Sequence, residues 1–253
     1  MGHIIAILNQ KGGVGKTTTT INLASYLAKQ GSSVLIVDLD PQGNATSGFG
    51  VPKAEVILGT YEVLLGKTSL DKAVLPVAAE DNVFIVPTGQ GLATAELELV
   101  NLQEREFALK RALASSSHDY VLIDCPPALS LLTVNALTAA TSLLIPVQSE
   151  YYALEGLTQL LEVTQQVRQG LNPNLELLGV LMTMYDARTS LSEQVKGEVA
   201  QYFGDKVFET VIPRNVRLAE APSHGQPISS YDKWSKGARA YKQLAKEVQQ
   251  RLS

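Results

Sequence analysis

The run Asn9-Gln10-Lys11-Gly12-Gly13-Val14-Gly15-Lys16-Thr17-Thr18 constrains this chain more than any other stretch. An apolar segment, Ile4-Ile5-Ala6-Ile7-Leu8, leads into it, and residues 21–28 behind it carry apolar side chains at helical spacing. Strand, glycine-rich turn and helix start together are the context of a phosphate-binding loop. Glycines let backbone N–H groups turn inward around an anion, and the helix N-terminus adds free donors and the positive end of its dipole. Lys16 is then placed to reach β- and γ-phosphates, and the Thr17 hydroxyl to ligate magnesium. A strand-to-helix turn that merely needs glycine would not also require Gly-Lys-Thr at this spacing.

The run departs from the usual G-x-x-x-x-G-K-[ST] pattern. Gln10 stands where the first glycine is expected, and an extra lysine, Lys11, directly precedes the glycine pair. Lys11-Gly12-Gly13-Val14-Gly15-Lys16-Thr17 resembles the deviant Walker A motif of the ParA/MinD group of P-loop ATPases. The resemblance implies that Lys11 crosses a dimer interface, with Gly12 beside it, to the nucleotide held by the other subunit. It also implies nucleotide binding by Lys11, Gly12, Gly13, Val14, Gly15, Lys16, Thr17 and Thr18.

With 253 residues, the chain is long enough for one large α/β domain with a substantial core. There is no charged segment followed by a long apolar run at the N-terminus, and no stretch of about 18 apolar residues, so neither a secretory signal nor a membrane span is expected. The single cysteine, Cys125, excludes an intramolecular disulfide or a one-chain multi-cysteine metal site. A cytoplasmic protein fits these features best. The net charge of −4 is uneven: residues 1–182 carry ten Lys/Arg against seventeen Asp/Glu, residues 183–253 eleven against eight. A local basic face on an acidic protein is compatible with that split.

The next strand, Ser33-Val34-Leu35-Ile36-Val37-Asp38-Leu39-Asp40-Pro41, has the continuous apolar run of a parallel strand buried on both faces. Asp38 and Asp40 are two apart and therefore on one side, at the strand end where open parallel sheets bind ligands. Residues 38–44 resemble the switch segment of ParA-type ATPases. By that resemblance Asp40 orients or activates the attacking water, joining Lys11 and Lys16 in catalysis, and Asp38 supports the metal side. An aspartate before Pro41 also serves as a turn cap.

Residues 44–50 are rich in turn formers, residues 61–65 and 70–74 look like short helical pieces, and residues 82–87 form a short strand. A helix is expected after it, with apolar residues at Leu92, Ala95, Leu99, Leu102, Leu109 and Leu113 and its glutamates on a solvated face. Residues 119–127 give a strand ending in Asp124, a Walker B pattern whose carboxylate is expected to hold magnesium with Thr17 and Asp38. Pro126 and Pro127 stop that strand. Cys125 reads as a small buried filler.

Residues 142–148 form a further strand, followed by a helix reaching about Gly170. The stretch from Glu150 to Leu157 resembles the Soj subgroup of ParA proteins, which implies that Glu150 lies at the dimer face; a helix-start glutamate is the plainer alternative. A strand at 175–184, a helix from Ser190 to Phe203 and a last strand at 206–213 follow. The run from Arg214 to Gly225 is again Soj-like. In the broader group, backbone around Pro213, Arg214 and Asn215 sits against adenine. Many relatives carry asparagine where this chain has Thr183, so the side chain that reads the base stays open. Arg188 and Arg217 match arginines that contribute to sequence-independent DNA binding in this subgroup, and loop arginines suit phosphate contact; surface salt bridges are the plainer alternative. The final helix, from about Trp234 to Leu252, places Tyr241, Leu244, Ala245, Val248 and Leu252 on one stripe, with its lysines elsewhere.

The chain thus reads as a mostly parallel α/β sheet with helices on both faces, one domain over residues 1–253. The resemblance to ParA/Soj partition ATPases covers nearly all of it. It implies ATP and Mg²⁺ as cofactors, slow hydrolysis, a homodimer in the ATP state and binding of non-specific double-stranded DNA. It further implies a ParB-type centromere-binding partner that stimulates hydrolysis, a nucleoid-associated location and no membrane. Because the loop begins nine residues in, the short, chromosomal-type subgroup is expected, without an operator-binding segment. Two alternatives stand beside this reading. A MinD-like positioning ATPase would need an amphipathic anchor, which residues 248–253 make poorly. A metabolic ligase or kinase would need a second substrate pocket, and a redox role would need more cysteines than Cys125.

Overall fold

The computed structural model describes residues 2–150 and 155–253. Among the described residues there are seven strands, six of them from the apolar runs: β1 (His3–Ile7), β2 (Val34–Asp38), β3 (Leu75–Pro76, the exception), β4 (Val83–Val86), β5 (Tyr120–Asp124), β6 (Ser142–Gln148) and β7 (Glu176–Thr183). They lie in the order β3-β4-β2-β5-β1-β6-β7. All neighbours pair in parallel except β3, which runs antiparallel to β4 at one edge. β1 therefore sits inside the sheet, between β5 and β6, and β2 pairs on the far side of β5. The carboxyl ends of β1, β2 and β5 form one contiguous rim.

The helices are α1 (Lys16–Ala28), α2 (Asn44–Gly48), α3 (Thr60–Leu64), α4 (Leu70–Ala73), α5 (Leu92–Leu99) and α6 (Ala108–Leu113), then α7 (Leu131–Ala139), α8 (Glu155–Gly170), α9 (Ser190–Phe203), α10 (Val216–Glu220), α11 (Ile228–Tyr231) and α12 (Lys236–Leu252). Strand alternation splits the core in two. Ile5, Ile7, Val34, Ile36 and Leu122 face α1 and α12, where Leu23, Leu27, Tyr241, Leu244 and Val248 meet them. Ala6, Leu8, Leu35, Val37, Val121 and Ile123 face the layer that holds Leu99, Leu109, Ala136, Leu160 and Val199. Burial on both faces explains the unbroken apolar runs.

Two expectations need correction. The helix expected over residues 92–113 is broken: α5 ends at Leu99, Glu104 has φ 49°, and α6 starts at Ala108. The restart is built by Asn135 of α7, whose Oδ1 accepts from Leu109 N at 3.1 Å while its Nδ2 donates to Arg105 O. One side-chain amide thus satisfies a helix start and the loop before it. The strand expected over 206–213 is not a regular strand. Isolated bridges, Val180 with Val207 and Tyr185 with Pro213, and one backbone bond, Ile212 N to Met182 O at 2.8 Å, tie it to β7. Between them, the N–H groups of Glu209 and Thr210 donate to the Glu247 carboxylate at 2.8 and 3.0 Å, replacing the ladder with a side chain. In addition, the turn-rich residues 44–48 are helical, and α7 and β3 lie in stretches where sequence patterning singles out no element. Residues 151–154, the middle of the Soj-like stretch after Glu150, lie outside the described residues.

Candidate active site

The loop between β1 and α1 turns on two glycines, Gly13 with φ 77° and Gly15 with φ 89°, backbone angles that side chains strongly disfavour. Its entrance is pinned by buried Asn9, whose Nδ2 donates to Pro146 O at 2.7 Å and whose Oδ1 accepts from Lys11 N at 3.0 Å. Its exit is pinned by Thr183, whose hydroxyl donates to Val14 O at 2.8 Å. Neither Asn9 nor Thr183 announces that role in sequence, because the partner in each case is a distant backbone carbonyl.

Lys16 opens α1 and is buried, its Nζ donating to Lys11 O at 3.2 Å. Burial pulls its ammonium below the ordinary lysine range, against the opposing pull of Asp124 and, more weakly, Asp40. Asp124 ends β5 with no exposed surface and receives Thr17 Oγ1 at 2.7 Å and Thr20 Oγ1 at 3.2 Å. Asp38 pairs with it in register on β2. Burial, and then the neighbouring Asp38 charge, push the Asp124 carboxyl well above the carboxylate range. Burial raises Asp38 as well, opposed by the Thr46 hydroxyl and N–H.

Asp38 is fully engaged: Oδ2 accepts from Thr46 N at 2.8 Å and Thr46 Oγ1 at 2.6 Å, and Oδ1 from Asp40 N at 3.3 Å. Thr46 in turn accepts from Thr88 N. Asp38 thereby caps the first turn of α2 and stands behind the site. Asp40 accepts from Gln42 N at 2.9 Å, the turn role open to an aspartate before proline, and also lines the phosphate-side cavity.

That cavity, of about 590 Å³, is lined by Gly12, Gly13, Lys16, Thr17, Asp40 and Ser47 among others. A second, of about 280 Å³, is walled by Thr183, Pro213, Arg214, Asn215 and Tyr241. Gly15, Thr18 and Met184 line both, so the two adjoin across the start of α1. A chamber bearing a lysine and the glycine loop, beside a smaller and more apolar one, suits a phosphorylated ligand with an attached base. Among the described residues no group of three His, Cys, Asp or Glu side chains is placed to hold a metal. Thr17 and buried Asp124 offer a hydroxyl and a carboxylate side by side. Hard oxygen donors of this kind fit magnesium, which keeps waters and takes phosphate oxygens for the rest of its shell. Cys125 is a buried filler, its thiol pushed up by burial and by Asp124.

The Lys11 carbonyl holds Lys16, but the Lys11 side chain turns away from these chambers. Its Nζ is 2.7 Å from Glu150 Oε2, both side chains are nearly half exposed, and Gln148 Nε2 holds the other Glu150 oxygen. Arg188 and Arg217 stand on an outer rim. Arg188, with 88% of its side chain exposed, forms a two-pronged pair with Asp186 at 2.9 and 2.7 Å. Arg217 bonds Glu220 at 2.9 Å and approaches Asp232 at 3.6 Å. The two arginine-bearing loops are joined by Arg214 N donating to Tyr185 O. The hydrogen bonds of Arg188, aided by the charge of Arg214, hold Asp186 far below the carboxylate range.

An AAA domain family model matches residues 2–177. The chain is 56% identical to the sporulation initiation inhibitor protein Soj of Bacillus subtilis, with 98% of each chain covered. It is 54% identical to the chromosome-partitioning ATPase Soj of Thermus thermophilus, over 98% of this chain and 96% of that one. A solved structure of cobyrinic acid a,c-diamide synthase from Mycobacterium smegmatis, with bound ADP and magnesium, superposes with a TM-score of 0.85 at 40% identity, over 97% of this chain and 93% of that one.

The raised Asp38 and Asp124 carboxyls set a pH dependence. A carboxyl raised by folding contributes most below its unfolded value, about 4, and destabilises as pH rises through the folded value. Asp124→Asn, which cannot ionise, is therefore expected to gain stability relative to the parent chain as pH increases from about 5 to 9. Thermal melts of the ligand-free protein across that range check the sign; a difference that stays flat would contradict it.

Proposed function

This chain belongs to the Soj/ParA family of chromosome-partitioning ATPases, and from that premise we propose that it is an ATP-dependent dimerising switch that binds DNA without sequence preference and drives chromosome or plasmid segregation. The observation that carries the reading is the separation of its two lysines. Lys16 lines the chain's own phosphate chamber, whereas Lys11 is not among the lining residues and rests half exposed on Glu150. A lysine that its own chamber does not use is available to a second subunit's nucleotide.

In this mechanism the chamber at Gly12 to Thr18 takes the phosphates of ATP, and the adjoining chamber at Pro213 to Asn215 takes adenine. Thr17 and Asp124 hold magnesium, with Asp38 behind them; the ion, when bound, supplies positive charge against the phosphate oxygens. Lys16 stays on the chain's own phosphates. Asp40, at the mouth of the chamber, positions the attacking water. Lys11 exchanges Glu150 for the phosphates across the interface, where Gly12 and Glu150 lie. Pairing two chains doubles the arginine rim of Arg188 and Arg217, so DNA affinity follows dimerisation and falls steeply with salt. Hydrolysis, stimulated by a ParB-type partner at the centromere, ends the DNA-bound state. The protein thus acts on the nucleoid, as one domain over residues 1–253. A ligase on the same scaffold has one observation in its favour, the name of the 40% identical mycobacterial structure. No DNA retention in any nucleotide state would favour it.

Asp40→Ala is expected to bind ATP and dimerise normally while hydrolysis falls by about 10²–10⁴-fold, as for loss of a general base. Phosphate release with light scattering checks both halves, and unchanged turnover would remove Asp40 from the mechanism. Lys11→Ala is expected to weaken the ATP dimer by roughly tenfold or more, the loss of a charge-assisted contact; scattering that matches the parent chain would count against the crossing lysine. On non-specific duplex DNA, retention is expected only with ATP and Mg²⁺. Arg188→Ala with Arg217→Ala, four charges per dimer, should flatten the log–log salt slope by about 3–4 without affecting dimerisation. Retention equal to the parent at matched salt would refute their role.

A further inference from the structure

Segment 206–212 is bonded to β7 by backbone only at its ends, Phe208 N to Val180 O at 2.9 Å and Ile212 N to Met182 O at 2.8 Å, and it leads directly into the wall of the smaller chamber, which begins at Ile212 and Pro213. Two side chains one helical turn apart on α12 take the place of the missing ladder. Glu247 Oε1 and Oε2 accept from Glu209 N and Thr210 N. Arg251 Nη2 donates to Val207 O at 2.7 Å, Nη1 reaches Leu178 O at 3.1 Å and Lys206 O at 3.3 Å, and the guanidinium lies 4.1 Å over the Phe208 ring. The two are paired to each other at 3.0 Å. Glu247 is a buried carboxylate; burial works to raise its pKa, but the Thr210 and Glu209 donors and Arg251 outweigh it and hold it below the glutamate range.

The same helix touches the opposite wall. Tyr241, fully buried, lines the smaller chamber and meets Thr19 of α1 through a hydroxyl contact of 3.1 Å. Tyr241 and Glu247 are six residues apart, about 9 Å along a helix axis. One rigid element therefore spaces the start of the phosphate helix from the loop at Pro213 to Asn215.

We propose that Glu247 and Arg251 are positioning residues for base binding: they splint residues 207–210 to β7 and so hold the chamber wall where the purine enters. The inference rests on the reading that the base occupies the smaller chamber. Neither residue touches the ligand, and their effect falls on affinity for the base-bearing part alone.

The test measures equilibrium affinity for ATP and for inorganic tripolyphosphate, each with Mg²⁺, in the full chain. Glu247→Gln keeps the shape but loses one of the two acceptor oxygens; Arg251→Lys keeps the charge but loses the fork. Each is expected to weaken ATP by about three- to tenfold, the loss of one or two hydrogen bonds, with tripolyphosphate held within about twofold. Unchanged ATP affinity, or parallel loss of both ligands, would overturn the proposal. So would failure of both variants to fold, which would make the pair an element of folding instead. Ala219→Trp, adding a ring among the chamber's lining residues, separates this from the underlying reading. If it leaves ATP affinity intact, the base lies elsewhere and the chamber reading fails, whatever the splint does.

Discussion

The structure around the phosphate loop depends on one buried carboxylate. Asp124 ends β5 beside Asp38, and two like charges side by side in a buried rim are costly unless hydroxyls, N–H groups and cations answer them. Thr17 and Thr20 bring the first turn of α1 onto Asp124, Thr46 brings α2 onto Asp38, and Lys16 sits across from them. Backbone follows the same centre: Leu39 N donates to Asp124 O and Cys125 N to Ile7 O, so the ends of β1, β2 and β5 are laced together at this point. Three loops are held by what they contribute to a single electrostatic problem.

Burial favours the neutral form of Asp124, so a divalent cation held by it would displace a proton. The acidic and basic residues of the chain are also unevenly placed. The acids sit largely in the first 182 residues, with several pointed inward. The arginines at 188, 214 and 217 come from two loops bridged at Tyr185 and Pro213, with Arg214 in the wall of the smaller chamber. Net charge averages over surfaces of different local charge.

Much of this was legible from residue order. Unbroken apolar runs located the six parallel strands to within a few residues, because burial on both faces leaves no polar position to confuse the pattern. Gly15, Lys16, Thr17 and Asp124 were marked by type and spacing, and they come together where β1 and β5 end. What could not be read were the long-range side-chain contacts that finish a backbone. Asn135 restarts α6 from another helix, and Asp38 caps α2, turning an apparent loop into a helical turn. Glu247 substitutes for a ladder forty residues upstream, so the β-rich run at 207–212 has strand composition without a strand. Propensity is local, and each of these outcomes was decided by a partner distant in the chain.

The position of α12 has a consequence for biogenesis. A ribosome delivers the phosphate loop first and the helix that spaces the two chambers among the last residues of this sequence, residues 236–252. Until that helix has emerged and docked, residues 207–210 lack the Glu247 and Arg251 side chains that tie them down. The wall of the smaller chamber therefore gains its last side-chain supports only after the rest of the sheet has been made, when synthesis has passed Arg251.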